Sequence, residues 1–367
     1  MSWAIWITGL PGSGKSVVSR AAADAIAAAG ESVALLELDE MRRLVTPAPT
    51  YSDVERDLVY RALVYVASAL VEAGLPVIVD ATAHRCAWRD LARAVIPAFA
   101  EVQLTCPLEV CRERERTRTG GHAPRNIYAA AGTAGARVPG VDVPYEPAAA
   151  PELTIDTTQE TVASAAARIA ALAAGLPRQP RRETAARWAV WITGLPGSGK
   201  TTIASRVAEV LTARGAGVRV LELADVRAFV AHGASTPQAD DIAHRALVYA
   251  AKRLTEAGFA VIVDATAPAR AWRDLARQVI PQFAEVQLVC PAELCATRER
   301  AVRWRLGGRP HTTTSPRGGP DIVLAYEHAL DPEVIIHTDV EDPWSSVEAV
   351  LRLVARLHAA EHAVVAP

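Results

Sequence analysis

Short runs of apolar and β-branched residues alternate along this chain with longer stretches whose apolar positions recur at helical spacing. In the first half the runs are WAIWIT (Trp3 to Thr8), VALLEL (Val33 to Leu38), LPVIVDAT (Leu75 to Thr82), AEVQLTC (Ala100 to Cys106) and LTIDT (Leu153 to Thr157). Helical stretches fall between them: Ala-rich from Val17, then Asp53 to Glu72, then around Trp88 to Val95, and an Ala-rich one ending near Ala174. The order then begins again with WAVWIT (from Trp188), RVLEL, a helix through Ile242 to Glu256, FAVIVDAT, AEVQLVC, EVIIHTD and a last helix from Trp344 to about Ala360. Strands that are apolar throughout, each followed by a helix, predict a parallel sheet covered on both faces, built twice.

The first strand of each half runs straight into G-x-x-x-x-G-K-[ST], as GLPGSGKS from Gly9 to Ser16 and GLPGSGKT from Gly194 to Thr201. Gly9, Gly12 and Gly14 let the backbone turn tightly through Pro11 and Ser13 and aim N–H groups at an anion. Lys15 supplies a cation for the β and γ phosphates, Ser16 a hydroxyl for Mg2+, and the helix from Val17 its positive end. The second copy repeats these parts with Gly194, Gly197, Ser198, Gly199, Lys200, Thr201 and Thr202. The fold class expected is α/β: two tandem P-loop NTPase, nucleotide-kinase-like domains, each a mainly parallel sheet with helices on both faces, with ATP and Mg2+ as cofactors.

At 367 residues the chain has room for about two domains. The repeat places them at 1–175 and 188–367, around a Pro- and Arg-rich linker at 176–187 that lacks periodicity. A net charge of −2 argues against a general nucleic-acid or membrane-surface binder. No stretch reads as a signal peptide or a bilayer span, so the expected setting is the cytoplasm. Cys106/Cys111 and Cys290/Cys295 recur with the duplication, beside a lone Cys86. Lacking C-x-x-C pairs, they read as packing at a strand-to-helix junction rather than metal ligands.

Asp80 and Asp264 each end an apolar strand in the same D-A-T context. Such a carboxylate suits Mg2+ chemistry beside the phosphate loop, and capping of the following helix or turn is the plainer alternative. The Arg-rich stretches CRERERTRTGG and TRERAVRWRLGGR read either as solvated helices with local ion pairs or as lids over a transferring phosphoryl group. Trp3, Trp6, Trp188 and Trp191 read as core, and Trp88 and Trp272 as helix packing.

CPLEVCRERERT followed by GVDVPYEPAAAPELTIDT, from Gly140 to Thr157, resembles the adenylylsulfate (APS) kinase family, as does the GLPGSGKS at the front. The resemblance covers about 1–175 and 186–360. It implies transfer of the γ-phosphate of ATP to the 3′-hydroxyl of adenosine 5′-phosphosulfate, giving PAPS, in proteins that generally act as dimers. Carried onto this sequence, it implies that Asp39 is a metal-linked carboxylate or base and that Arg42, Arg56, Arg61, Tyr145 and Glu146 meet the substrate. Together with the phosphate loop and the strand-end aspartates read above, the expected catalytic groups are Lys15, Asp39, Asp80 and Arg42, and the metal-side residues Ser16, Asp39, Asp80, Thr201 and Asp264. The sequence departs from the family on the acceptor side: Leu38 replaces a glycine, Asp80 a serine, Ala81 an aromatic residue, and Ile127 to Gly132 has lost its basic residues.

The second half keeps the phosphate loop but has Ala224 where Asp39 stands, Asp225 one place along, and a tail reduced to Asp321, Tyr326 and Glu327. It retains Pro268 and Arg270, which fit the family pattern better than the first half does. The first half is thus expected to carry most catalysis and the second to bind nucleotide and complete an intramolecular pseudo-dimer, or a homo-oligomer. Alternative readings are a kinase of another small-molecule hydroxyl (a nucleoside, sugar or natural product) and a nucleotide-binding regulatory protein with little turnover.

Overall fold

The computed structural model describes residues 2–122, 126–133, 135–177, 186–233, 236–305 and 325–365. The chain divides into two compact units, Met1–Arg181 and Arg182–Pro367. The first contains, in order, β1 (Ala4–Thr8), α1 (Lys15–Ala28), β2 (Ala34–Glu37), α2 (Leu38–Val45), α3 (Asp53–Glu72), β3 (Val77–Asp80), α4 (Cys86–Val95), β4 (Phe99–Thr105), α5 (Leu108–Thr117), a 3-10 turn at Ile127–Ala130, β5 (Leu153–Asp156) and α6 (Val162–Ala174). The second contains β6 (Trp188–Thr193), α7 (Lys200–Ala213), β7 (Val218–Glu222), α8 (Leu223–Val230), α9 (Pro237–Glu256), β8 (Ala260–Asp264), α10 (Arg270–Val279), β9 (Gln282–Val289), α11 (Ala292–Arg305), β10 (Val334–His337) and α12 (Pro343–Val365).

Each unit holds a five-stranded, wholly parallel sheet, ordered β2-β3-β1-β4-β5 and β7-β8-β6-β9-β10. The central strand shows why. Trp3, Ile5 and Ile7 join Val18, Ala22 and Ile26 of α1 and Ala165 and Ile169 of α6 in one core. Trp6 faces the other way, towards Tyr60 of α3 and Phe99. A strand with both faces buried must be apolar at every position, which is what the sequence shows.

Two elements differ from the sequence reading. Leu38, expected to end a strand, instead opens α2, whose Leu38, Met41 and Val45 are buried while charged residues occupy the other face. That helix is eight residues long, too short for its period to stand out beside the preceding strand. Helix α9 begins five residues before Ile242, at Pro237, where the Thr236 hydroxyl accepts the Ala239 N–H at 3.1 Å. The 178–185 stretch of the expected linker and Asp321 lie outside the described residues. Among the described residues, no helix is long and apolar enough to cross a membrane.

The buried tryptophans do more than fill space. Trp6 donates its indole N–H to the Ala81 carbonyl at 3.1 Å, and Trp191 to that of Ala265 at 3.3 Å. Each thereby fixes the turn that follows Asp80 or Asp264. Beneath that turn, Arg89 is fully buried against Glu101 at 2.6 Å and also donates to the Ala83 and Glu146 carbonyls. Arg273 and Glu285 repeat the pair at 2.7 Å. Removing one partner of such a pair strands a buried charge, at a cost of about 3–5 kcal/mol. Arg89→Ala is therefore expected to lower the urea midpoint of the first unit, and an unmoved midpoint would refute that role.

Candidate active site

The phosphate loop joins β1 to α1 and is set into the body of the unit by its glycines. Gly12 has φ +78°, and a Cβ there would lie 2.3 Å from the Cys111 carbonyl oxygen. In the second unit Gly197 has φ +80° and the same atom would lie 2.2 Å from the Cys295 carbonyl. Only glycine permits both the backbone angle and the approach to α5 or α11. Gly9 and Gly14, and likewise Gly194 and Gly199, also have positive φ. Ser13 and Ser198 sit buried inside the turns, their hydroxyls without a hydrogen-bond partner among the described residues. The cysteines are free thiols at this junction.

Lys15 is buried, its Nζ donating to the carbonyls of Gly9 at 3.1 Å and Leu10 at 3.0 Å. Burial pulls its pKa down, and Asp80 followed by Asp39 pulls it back up. Parallel pairing of β1 with β3 sets Ile7 beside Asp80 and so brings that carboxylate to the loop. Burial pushes the Asp80 pKa up, against the attraction of Lys15 and a hydrogen bond from the Ser16 hydroxyl. In the second unit Thr201 Oγ1 donates to Asp264 Oδ2 at 2.5 Å, and Lys200 donates to Gly194 and Leu195. Neither aspartate caps a helix: the residues capping α4 and α10 are Arg85 and Ala269.

A cavity of about 970 Å³ extends from this loop across the first unit. Pro11, Gly12, Gly14, Lys15, Ser16 and Val17 line one end, and Asp39, Arg42, Tyr51, Arg56, Tyr60, Asp80 and His84 line it further along. Asp39 stands in the first turn of α2. Burial raises its pKa, and Arg42 and then Lys15 oppose that, so its carboxylate is within electrostatic reach of both ends. Arg42 meets the buried Glu55 at 3.3 Å. Glu55 also accepts from Thr50 N and Oγ1, both at 2.7 Å, and from Tyr51 N at 3.1 Å. These bonds hold Tyr51 at φ +54°, its ring centroid 5.2 Å from the Arg42 guanidinium carbon. Arg56 donates through Nη2 to the Arg137 carbonyl at 2.8 Å, while its buried Nη1 has no hydrogen-bond partner among the described residues.

Not every expected substrate residue reaches the cavity lining. Arg61 is drawn to Asp57 at 3.0 Å, one turn back on α3. Tyr145 bonds through its hydroxyl to Thr8 Oγ1 at 3.0 Å, and Glu146 accepts the Cys86 N–H at 2.6 Å. Both pin the tail segment across β1 and the start of α4. Trp88 packs on Tyr60, ring centroids 4.0 Å apart, with its N–H on Asp57. Of the arginine-rich segment, Arg114 and Arg118 line the cavity, though Arg114 donates to Thr157 and Arg118 pairs with Glu115. The matching stretch of the second unit runs past Arg305 beyond the described residues.

Tyr51 and His84 belong to the cavity and were not picked out from the sequence. Burial and the nearby Arg56 and Arg85 push the His84 pKa down to about 4, so its ring is neutral at ordinary pH. The Ser52-Asp53-Val54-Glu55 capping pattern was a usable signal for the Tyr51 turn, since Ser52 does cap α3. Replacing Gly12 with Ala forces the loop off α5, so the variant is expected to lose nucleotide binding in the first unit. Calorimetric titration with a non-hydrolysable ATP analogue checks this, and retained affinity would count against the close approach.

The model of the adenylylsulphate kinase family matches residues 1–156 and 186–336. A probable adenylyl-sulfate kinase of Archaeoglobus fulgidus is 35% identical over 158 residues, 43% of this chain and 97% of the relative. The adenylyl-sulfate kinase of Bacillus pumilus is 36% identical over 158 residues, 42% of this chain and 75% of the relative. A probable bifunctional SAT/APS kinase of Sorangium cellulosum is 33% identical over 183 residues, 49% of this chain, which spans only 30% of that relative. Among solved structures, the Mycobacterium tuberculosis APS kinase in complex with AMPPNP and APS is 26% identical, with a TM-score of 0.37 over 46% of this chain and 97% of that one. The two matched segments cover most of the sequence, once in each half. The chain belongs to the adenylylsulphate kinase family, P-loop phosphotransferases with an alcohol acceptor.

Proposed function

We propose that the first unit transfers the γ-phosphoryl group of ATP to the 3′-hydroxyl of adenosine 5′-phosphosulfate, giving PAPS. The observation that carries this reading is one cavity lined both by the phosphate loop with Lys15 and by Asp39, Arg42 and Arg56. An acceptor bearing a sulfate and a phosphate answers those two arginines, and guanidinium is suited to such planar, multidentate recognition. Tyr51 offers an aromatic face beside Arg42, which suits a nucleoside base although Ala81 stands at the position the resemblance gives to an aromatic ring.

Loop amides and Lys15 hold the triphosphate. Ser16 and Asp80 fit a divalent cation: a hydroxyl and a carboxylate already meet there, and burial has raised the pKa of the carboxylate, which a cation would reverse. When bound, Mg2+ would screen the charge of the β and γ phosphates. Asp39 orients the acceptor hydroxyl and takes its proton on the carboxylate. Arg114 and Arg118 face the charge that builds on the transferring group. A second reading, a small hydroxyl acceptor without an adenine base, is favoured by Ala81 and the Ala-rich Tyr128–Ala131 stretch.

Purified protein with ATP, Mg2+ and APS is expected to form PAPS, resolved by chromatography, and Lys15→Ala to lose at least about 100-fold in kcat/KM. ADP release with sugars or nucleosides but not with APS would overturn the acceptor. Arg56→Ala is expected to raise the KM for APS by about 10-fold or more, the loss of one charged hydrogen bond. Because Asp39 works as the carboxylate and its pKa is raised, activity should climb with pH through a limb above the ordinary aspartate range. Asp39→Asn should abolish that limb along with most turnover, and an unchanged pH profile would remove Asp39 from the role of base.

A further inference from the structure

The two units differ at the acceptor end in a specific way. Helices α3 and α9 have the same length, follow a capping Ser52 or Thr236, and tie back to Trp88 or Trp272 through Asp57 or Asp241. That register sets Asp240 where the first unit has Arg56, Ala239 at Glu55 and His244 at Tyr60. Helices α2 and α8 likewise set Ala224 at Asp39 and Arg227 at Arg42. In the first unit Glu55 holds Arg42, and Arg56 lines the cavity. In the second, Arg227 Nε donates to Asp240 Oδ1 at 2.7 Å. The cavity-lining guanidinium has become a carboxylate, and that carboxylate occupies the remaining arginine. His244 lies flat on Trp272, ring centroids 3.6 Å apart, and is fully buried.

The nucleotide end shows no such change. Gly194, Gly197 and Gly199 keep the backbone angles of Gly9, Gly12 and Gly14 to within a few degrees, Lys200 makes the bonds of Lys15, and Thr201 meets Asp264.

We propose that the second unit binds a magnesium-bound nucleoside triphosphate and excludes the anionic acceptor, so that a chain with two nucleotide sites has one acceptor site. The proposal rests on the acceptor assigned above. Asp240, taken up by Arg227, puts a carboxylate where the first unit has the cavity-lining Arg56, and Ala224 offers no carboxylate to orient a hydroxyl. Affinity for such an acceptor is expected to be at least about 100-fold below that of the first unit, as like-charge juxtaposition dictates.

Calorimetric titration of the full chain tests this without relying on turnover. Mg·AMPPNP is expected to bind at two equivalents in the native protein and at one in either Lys15→Ala or Lys200→Ala. The surviving equivalent in each variant shows that the unsubstituted unit has folded, and an unchanged urea midpoint shows the same of the substituted one. APS titrated against saturating Mg·ADP is expected to bind at one equivalent, and at none in Arg56→Asp. A single nucleotide equivalent that Lys200→Ala does not alter would overturn the inference. Two APS equivalents would overturn it alone and leave the proposed function standing, whereas no APS binding to the native protein would overturn both.

Discussion

A buried ammonium group is the constraint around which each unit is arranged. Removing such a charge from water costs several kcal/mol even after the protein relaxes, so its surroundings must return most of that. For Lys15 two loop carbonyls and the carboxylates of Asp80 and Asp39 do so. The demand fixes topology. β3 must run beside β1 so that Asp80 comes level with the loop, and α2 must start where β2 ends so that Asp39 falls within reach. Lys200 is served by Asp264 and Glu299 with no counterpart of Asp39, so the lysine requires the strand carboxylate and only profits from the helical one.

A second set of ties holds the loop still. Gly12 abuts the Cys111 carbonyl, Trp6 grips the turn after Asp80, and Tyr145 bonds to the last residue of β1. These contacts explain why a tail motif can be diagnostic of a family without supplying a group to the cavity. Tyr145 and Glu146 anchor the segment that closes over β1 and α4, and Tyr326 and Glu327 repeat those bonds in the second unit. A motif read as substrate contact can therefore be scaffold for the groups that make the contact.

The sheet and its duplication were legible because wholly apolar strands and a glycine-rich loop leave strong local signals. Asp80 was legible for the same reason, as a charge interrupting an apolar run. What escaped were features decided by tertiary contacts. The α2 helix is too short to show a period, and its start depends on Leu38 finding a buried site. Tyr51 gains its place from the bonds that Glu55 makes to three neighbouring donors, and His84 its neutrality from burial and two nearby arginines. Arg61, which the resemblance set among the substrate residues with Arg56, pairs with Asp57 one turn back on the same helix.

The unequal fates of the two ends of the site follow from what each end is made of. The nucleotide end is largely backbone: glycine angles, loop carbonyls and a close approach to the next helix, so almost any change there disturbs the unit itself. The acceptor end is made of side chains on α2 and α3, where the fold asks only that a partly buried arginine find a carboxylate. Glu55 meets that need for Arg42 in the first unit. In the second, the carboxylate has moved one residue along the helix, and Asp240 meets the same need for Arg227. The structural ion pair survives the move, while the position it moved into is the one where the first unit has the cavity-lining Arg56. A single step along one helix can thus keep the fold's ion pair satisfied and exchange an arginine for a carboxylate without rebuilding the core.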